Sequence, residues 1–165
     1  MLSKQFFLRL TALLLTTSVV RADAFSQNND NNLTISSVPL NFILASTFSL
    51  ENEQVINNAL TIRVESKKSY NVFVRISNMT NTSGTPIPPN MLSMQLSGSD
   101  ESSQSFPVTT RIYLSQTDQL IIADRNRASN KTGDSFYYDY YFGPLGYNYA
   151  PGNYTFTLLF TMTQP

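Results

Sequence analysis

The segment Tyr154 to Thr163 constrains the fold more than any other part of the chain. Tyr154, Phe156, Leu158, Phe160 and Met162 alternate there with Thr155, Thr157, Leu159, Thr161 and Thr163. A period of two puts the five large apolar side chains on one face of an extended strand and mostly threonine on the other. No helix sorts these residues that way, because same-face neighbours on a helix lie three and four apart. Threonine and aromatic residues also suit a pleated surface with one buried side. Pro151-Gly152-Asn153 just before it is a turn tripeptide in which glycine can take positive φ, so the strand has a chemically defined start. Leu159 interrupts the threonine face and marks contact with a partner or a neighbouring loop.

The same period recurs upstream. Leu60, Ile62 and Val64 alternate with Thr61, Arg63 and Glu65, and after the polar Ser66 to Ser69 the pattern resumes at Tyr70, Val72, Val74 and Ile76. Two amphipathic runs joined by so short a turn predict an antiparallel hairpin, with Lys67 and Lys68 on its solvated tip. Further strands are predicted at Leu33 to Val38, Asn41 to Ala45, Met91 to Leu96, Val108 to Leu114, Gln119 to Ile122 and Phe136 to Phe142. Asn78 to Asn90, Ser97 to Ser105 and Ala123 to Asp134 are rich in loop-forming residues. No segment after the first two dozen residues holds a helical period over roughly 11 positions. The expected fold is all-β, an immunoglobulin-like antiparallel sandwich of about 7 to 9 strands, forming one domain over 33–165.

The chain opens with a different pattern. Lys4 and Arg9 precede the apolar run Leu10 to Val20, and Ala22-Asp23-Ala24 follows with the small-x-small spacing that signal peptidase reads. The run falls well short of the roughly 20 apolar residues that span a bilayer. Residues 1–24 are therefore expected to be a cleaved signal-peptide helix, with cleavage after Ala24 or, alternatively, after Ala22. Asn and Asp dominate Gln27 to Asn32, so 25–32 is expected to be a flexible polar N-terminus. Losing the leader takes the formally neutral chain to about −2 with no basic stripe, which removes the electrostatic basis for binding nucleic acid or anionic membranes. Membrane insertion of the mature chain is likewise not expected. The location implied is periplasmic, cell-surface or extracellular. With no cysteine in the chain, disulfides contribute nothing, and packing and backbone pairing must supply the stability.

Catalytic options are few. The chain has neither histidine nor cysteine, so the Ser-His-Asp and Cys-His arrangements and the commonest general base are missing. Ser66 and Ser69 flank Lys67 and Lys68, but an exposed turn does nothing to lower a lysine pKa. Glu51, Glu53, Asp100 and Glu101 sit in polar segments, and Asp139 is the only acid in an aromatic strand. Zinc and copper sites lack their preferred ligands. Neither Asn28 to Asn32 nor Asp124 to Asp134 follows the calcium-loop pattern, since Ala128 and Ser129 stand where a ligand and the turn glycine belong. No enzyme activity, cofactor or metal is expected.

The densest aromatic block is Phe136 to Phe142. On a strand, Phe136, Tyr138, Tyr140 and Phe142 share one face while Tyr137, Asp139 and Tyr141 share the other. One face belongs to the core. If the other is open, two tyrosines flanking an acceptor offer stacking and hydrogen-bonding chemistry suited to a sugar or a protein partner, with Tyr147 and Tyr149 extending it. The bland alternative is that loops or cross-strand pairing occupy that face.

With the leader, the strands and Tyr149-Ala150-Pro151-Gly152-Asn153-Tyr154-Thr155 in place, the chain resembles bacterial secreted, pilin-like β-sandwich proteins. Those commonly end in a Pro-Gly-x-Tyr-Thr turn and a final alternating strand. The resemblance spans Leu33 to Pro165 and is most specific at its C-terminal end, where Gly152 is similar to the glycine that opens the last strand of chaperone-usher pilins. It implies a structural, adhesive or pilin-like role, with a protein partner or self-assembly through strand addition to an open sheet edge. Gln27 to Asn32 lacks the alternating apolar anchors that a donor strand needs. The second functional class carried forward is a carbohydrate-binding module using the aromatic strand.

Overall fold

The computed structural model describes residues 31–82, 87, 90–100, 105–124, 133–147 and 149–164. The leader and the polar residues up to Asp30 lie outside these, as does most of the segment between Asp124 and Asp134. Numbered in chain order, ten strands form two antiparallel sheets. The first sheet runs β1 (Asn31–Ser37), β3 (Gln54–Ser66), β9 (Asp134–Phe142), β5 (Leu92–Asp100) and β7 (Ile112–Tyr113). The second runs β2 (Asn41–Leu44), β10 (Gly152–Thr163), β4 (Tyr70–Asn81), β8 (Gln119–Asp124) and β6 (Ser105–Pro107).

The alternation read from the sequence decides which residues fill the space between the sheets. Phe136, Tyr138, Tyr140 and Phe142 of β9 face inward, as do Tyr154, Phe156, Leu158 and Phe160 of β10, and all eight are buried. Phe142 joins the layers: its ring stacks on Phe42 at 4.8 Å and lies 5.4 Å from Tyr154 and 5.3 Å from Phe156. Four residues earlier on the same strand, the Tyr138 hydroxyl donates to the Ile121 carbonyl of β8 at 3.4 Å. One strand thus meets different regions of the facing sheet from its middle and from its end, as the twist of packed sheets requires.

Two sequence expectations are corrected. Leu60–Glu65 and Tyr70–Ile76 are strands but not a hairpin, since β3 belongs to the first sheet and β4 to the second. Ser66 Oγ accepts from the Lys68 amide and donates to the Lys68 carbonyl, tightening a turn that carries the chain across the core. Alternation records which side of a strand is buried, and a turn between facing sheets leaves the same record as a turn within one. Val108–Leu114 is likewise not one strand. The Val108 amide bonds to Ile121 beside the second sheet, whereas Ile112 and Tyr113 pair with β5 in the first.

The first strands also change sheets. β1 pairs with β3, the chain passes Pro39, and β2 pairs with the start of β10. β1 begins at Asn31, opposite Ser66, two residues ahead of the predicted start. At the C-terminal end of β10, Thr163 lies opposite Asn71, so Asn31 and Thr163 flank the same Ser66–Ser69 turn.

A one-turn helix, α1 (Thr47–Glu51), closes the opposite pole. Its Ser46 and Ser49 satisfy each other's backbone amides in a capping box. Leu50 is buried beneath it, and its carbonyl accepts from the Leu145 and Gly146 amides at 3.0 and 2.9 Å. Five residues are too few to leave a helical period in the sequence.

Candidate functional site

Two places on the sandwich deserve chemical scrutiny: the outer face of β9 and the free edge of β10. On β9, Tyr137, Asp139 and Tyr141 point away from the core, as their alternation predicts, and each is half-buried. Both flanking strands break register beside Asp139, β3 between Ile56 and Leu60 and β5 between Leu96 and Gly98. In the β3 bulge, Asn58 takes a left-handed conformation with φ 48°. Its amide donates to Asp139 Oδ1 at 2.7 Å, and its Oδ1 accepts from the Ser97 hydroxyl of the β5 bulge at 3.3 Å. The two bulges are therefore joined across the outside of β9, with the Asp139 carboxylate beneath them. Asp139 Oδ2 and the side chain of Gln95, opposite Asp139 on β5, have no partner among the described residues.

The tyrosines on either side are already engaged. The Arg111 guanidinium lies 3.7 Å from the centre of the Tyr141 ring and holds Glu53 through two bonds of 2.6 and 3.2 Å. That pairing with Glu53, against a smaller desolvation effect, raises the Arg111 pKa. Tyr137 donates to Asp100 Oδ2 at 2.6 Å, which pushes its own pKa up. Its ring lies beside Gly98, where an added Cβ would sit 3.7 Å from Tyr137 Cδ2.

Tyr147 and Tyr149 do not extend this surface. Both lie beyond the end of β9. Tyr147 is 69% exposed near α1 and donates its hydroxyl to Glu51, whereas Tyr149 is half-buried against the core. The bulges leave no sequence signal, because two extra residues in β3 and one in β5 read as noise in a period of two.

The second place is an edge. β10 pairs with β4 along most of its length, but on its other side β2 reaches only Gly152 to Thr155, followed by one bond from the Phe156 amide to Leu40 at 3.3 Å. From Thr157 to Thr163 that side makes no backbone hydrogen bond among the described residues. Alternation from Phe156 aims the amides and carbonyls of Leu158, Phe160 and Met162 outward along this edge. Thr157 points the other way, its carbonyl accepting from Ser77 Oγ on the β4 side. Leu158 and Phe160 keep 7% and 6% exposure, while Val72 and Val74 on the neighbouring strand keep none.

Between the sheets, a partly open cavity of about 230 Å³ is lined by Ile76, Met79, Met91, Leu114 and Phe156 among others. Its walls are chiefly apolar. Among the described residues, no three His, Cys, Asp or Glu side chains cluster as a metal would require, and no helix is long and apolar enough to cross a membrane. Comparison with protein-family models, with curated proteins and with solved structures found no match.

Proposed function

We propose that this protein is an exported, non-enzymatic β-sandwich with a structural, adhesive or pilin-like role at the cell surface or in the periplasm, and that it works by accepting a protein strand along β10. The observation that carries the reading is the edge from Thr157 to Thr163, unpaired among the described residues. Exposed strand edges are templates for pairing, and proteins that do not use them blunt them. The strand order supports an immunoglobulin-like type: β1-β3-β9-β5 follows the A-B-E-D order of that sandwich and β4-β10 its C-F pair. No strand among the described residues fills the G position along the second half of β10, the geometry expected of a domain completed by a partner.

The test is fractionation of the producing cells, followed by capture of the protein with its associates. The protein is expected in the envelope or secreted fraction without its leader, in assemblies that Leu159→Lys/Thr161→Lys disrupts. Recovery from the cytosol, or associations indifferent to that variant, would refute the proposal.

A second reading, sugar binding on the outer face of the first sheet, is favoured by Asp139 Oδ2 between Tyr137 and Tyr141 and by the neighbouring Gln95 side chain of β5, both without a partner among the described residues. Glycan-array binding lost in Gln95→Ala, with folding intact, supports it. Binding to no glycan removes it.

A further inference from the structure

We infer that the strand accepted at this edge is β10 of a second copy, the two β10 strands pairing antiparallel about a two-fold axis at Phe160. The inference rests on the strand-acceptor reading and names its partner.

Length comes first. β2 and the Leu40 carbonyl take the β10 edge as far as Phe156, and the strand ends at Thr163. The stretch left unpaired among the described residues is Thr157–Thr163, with Phe160 at its centre. Antiparallel pairing about that centre sets Leu158 against Met162 of the copy, Phe160 against Phe160, Leu159 against Thr161 and Thr157 against Thr163. The copy's own β2 then lies in line beyond Thr163 rather than in the way.

Backbone polarity follows. Leu158, Phe160 and Met162 are the residues whose amides and carbonyls face the edge, and in this register each meets another of the three. The pairing closes about six hydrogen bonds and leaves none of those groups unmet. Their side chains face inward on both copies, giving apolar pairs, while the outward face carries a Thr-Thr pair at each end and Leu159-Thr161 pairs between.

The chemistry of the alternatives points the same way. Thr157–Thr163 has no charge, proline or glycine, the composition of a segment that pairs when left exposed. The other outer strands are guarded or weak. β2, β6 and β7 are four, three and two residues long and β6 ends in Pro107, whereas β1 is five-sevenths Asn, Ser and Thr. Leu159, which breaks the threonine face opposite Arg75 of β4, gains Thr161 of the copy as a second neighbour in this register.

The experiment is sedimentation of the protein expressed from the full sequence, across the micromolar range, with hydrogen exchange at high and low concentration. The wild type is expected to be a dimer whose Leu158, Phe160 and Met162 amides are protected only at high concentration. In Leu159→Lys/Thr161→Lys, lysines stand directly opposite one another, and self-association should weaken by about tenfold or more; the new charge at 159 also faces Arg75 of β4, so a small fall in the unfolding midpoint accompanies it. Mixing it with Leu159→Glu/Thr161→Glu should restore a heterodimer, which a merely misfolded variant would not do. A wild type that stays monomeric, or a lysine variant that still dimerises, overturns the inference. If the wild type is monomeric yet the lysine variant loses its associates in cell fractions, the copy is the wrong partner and the strand-acceptor reading stands. If those associates are also unchanged, both fall.

Discussion

The Ser97 hydroxyl donates to Asn58 Oδ1 at 3.3 Å across the strand that separates them. Each residue sits in a bulge, and Asp139 of the intervening β9 accepts from the Asn58 amide beneath this bridge. The acid singled out from sequence as a ligand contact thus also holds the β3 bulge in shape.

Removing it should show in stability. Asp139→Ala leaves the Asn58 amide without its acceptor and should cost about 1–2 kcal/mol in urea unfolding. Asp139→Asn, which keeps an acceptor, should cost less. Asn58→Val should be the most damaging of the three, because a β-branched residue is a poor fit at φ 48°.

Arg111 covers Tyr141 while paired with Glu53. Both charged side chains are about one-third exposed, so Arg111→Ala should cost no more than about 1 kcal/mol. The part due to Glu53 should shrink in high salt and the part due to ring stacking should persist. A double-mutant cycle with Glu53→Gln, run at two salt concentrations, separates them.

Tyr140 is fully buried, and its hydroxyl finds no hydrogen-bond partner among the described residues. Tyr140→Phe should therefore be neutral to about 1 kcal/mol stabilising. Burial, and secondarily the nearby Tyr138, pushes the Tyr140 pKa far up. A raised folded-state pKa means that its contribution is intact below the unfolded tyrosine value of about 10 and is lost as pH rises above it, by up to about 1.4 kcal/mol per pH unit. Urea midpoints measured from pH 8 to 11 should fall at the alkaline end, less steeply in Tyr140→Phe.

Phe142 touches Phe42, Tyr154 and Phe156 from the opposite sheet. Phe142→Ala empties the junction between the layers and should cost about 3–5 kcal/mol. Thermal unfolding of this variant beside Tyr140→Phe compares two positions two residues apart on one face.

Much of this fold was legible because burial imposes a period of two. The inward faces of β9 and β10 could be read off residue by residue, as could the outward placement of Tyr137, Asp139 and Tyr141. Sheet membership could not, because Ser66–Ser69 looks the same whether it turns within a sheet or between two. The engagement of Tyr137 and Tyr141 was equally hidden: Asp100 and Arg111 reach them from β5 and from beside β7, with no local signal. The free edge was invisible because it depends on where β2 stops, a property of chain path rather than of β10.

Asn31 and Thr163 flank one turn, so the described chain enters and leaves the sandwich at the same pole. A tag or support attached through either end holds the protein by that pole. α1 and the Gly143–Tyr147 segment then point away, with the exposed Phe48 and Tyr147 on that side. The described domain has a foot and a head, and immobilisation beside Asn31 or beside Thr163 presents the same head to whatever flows past.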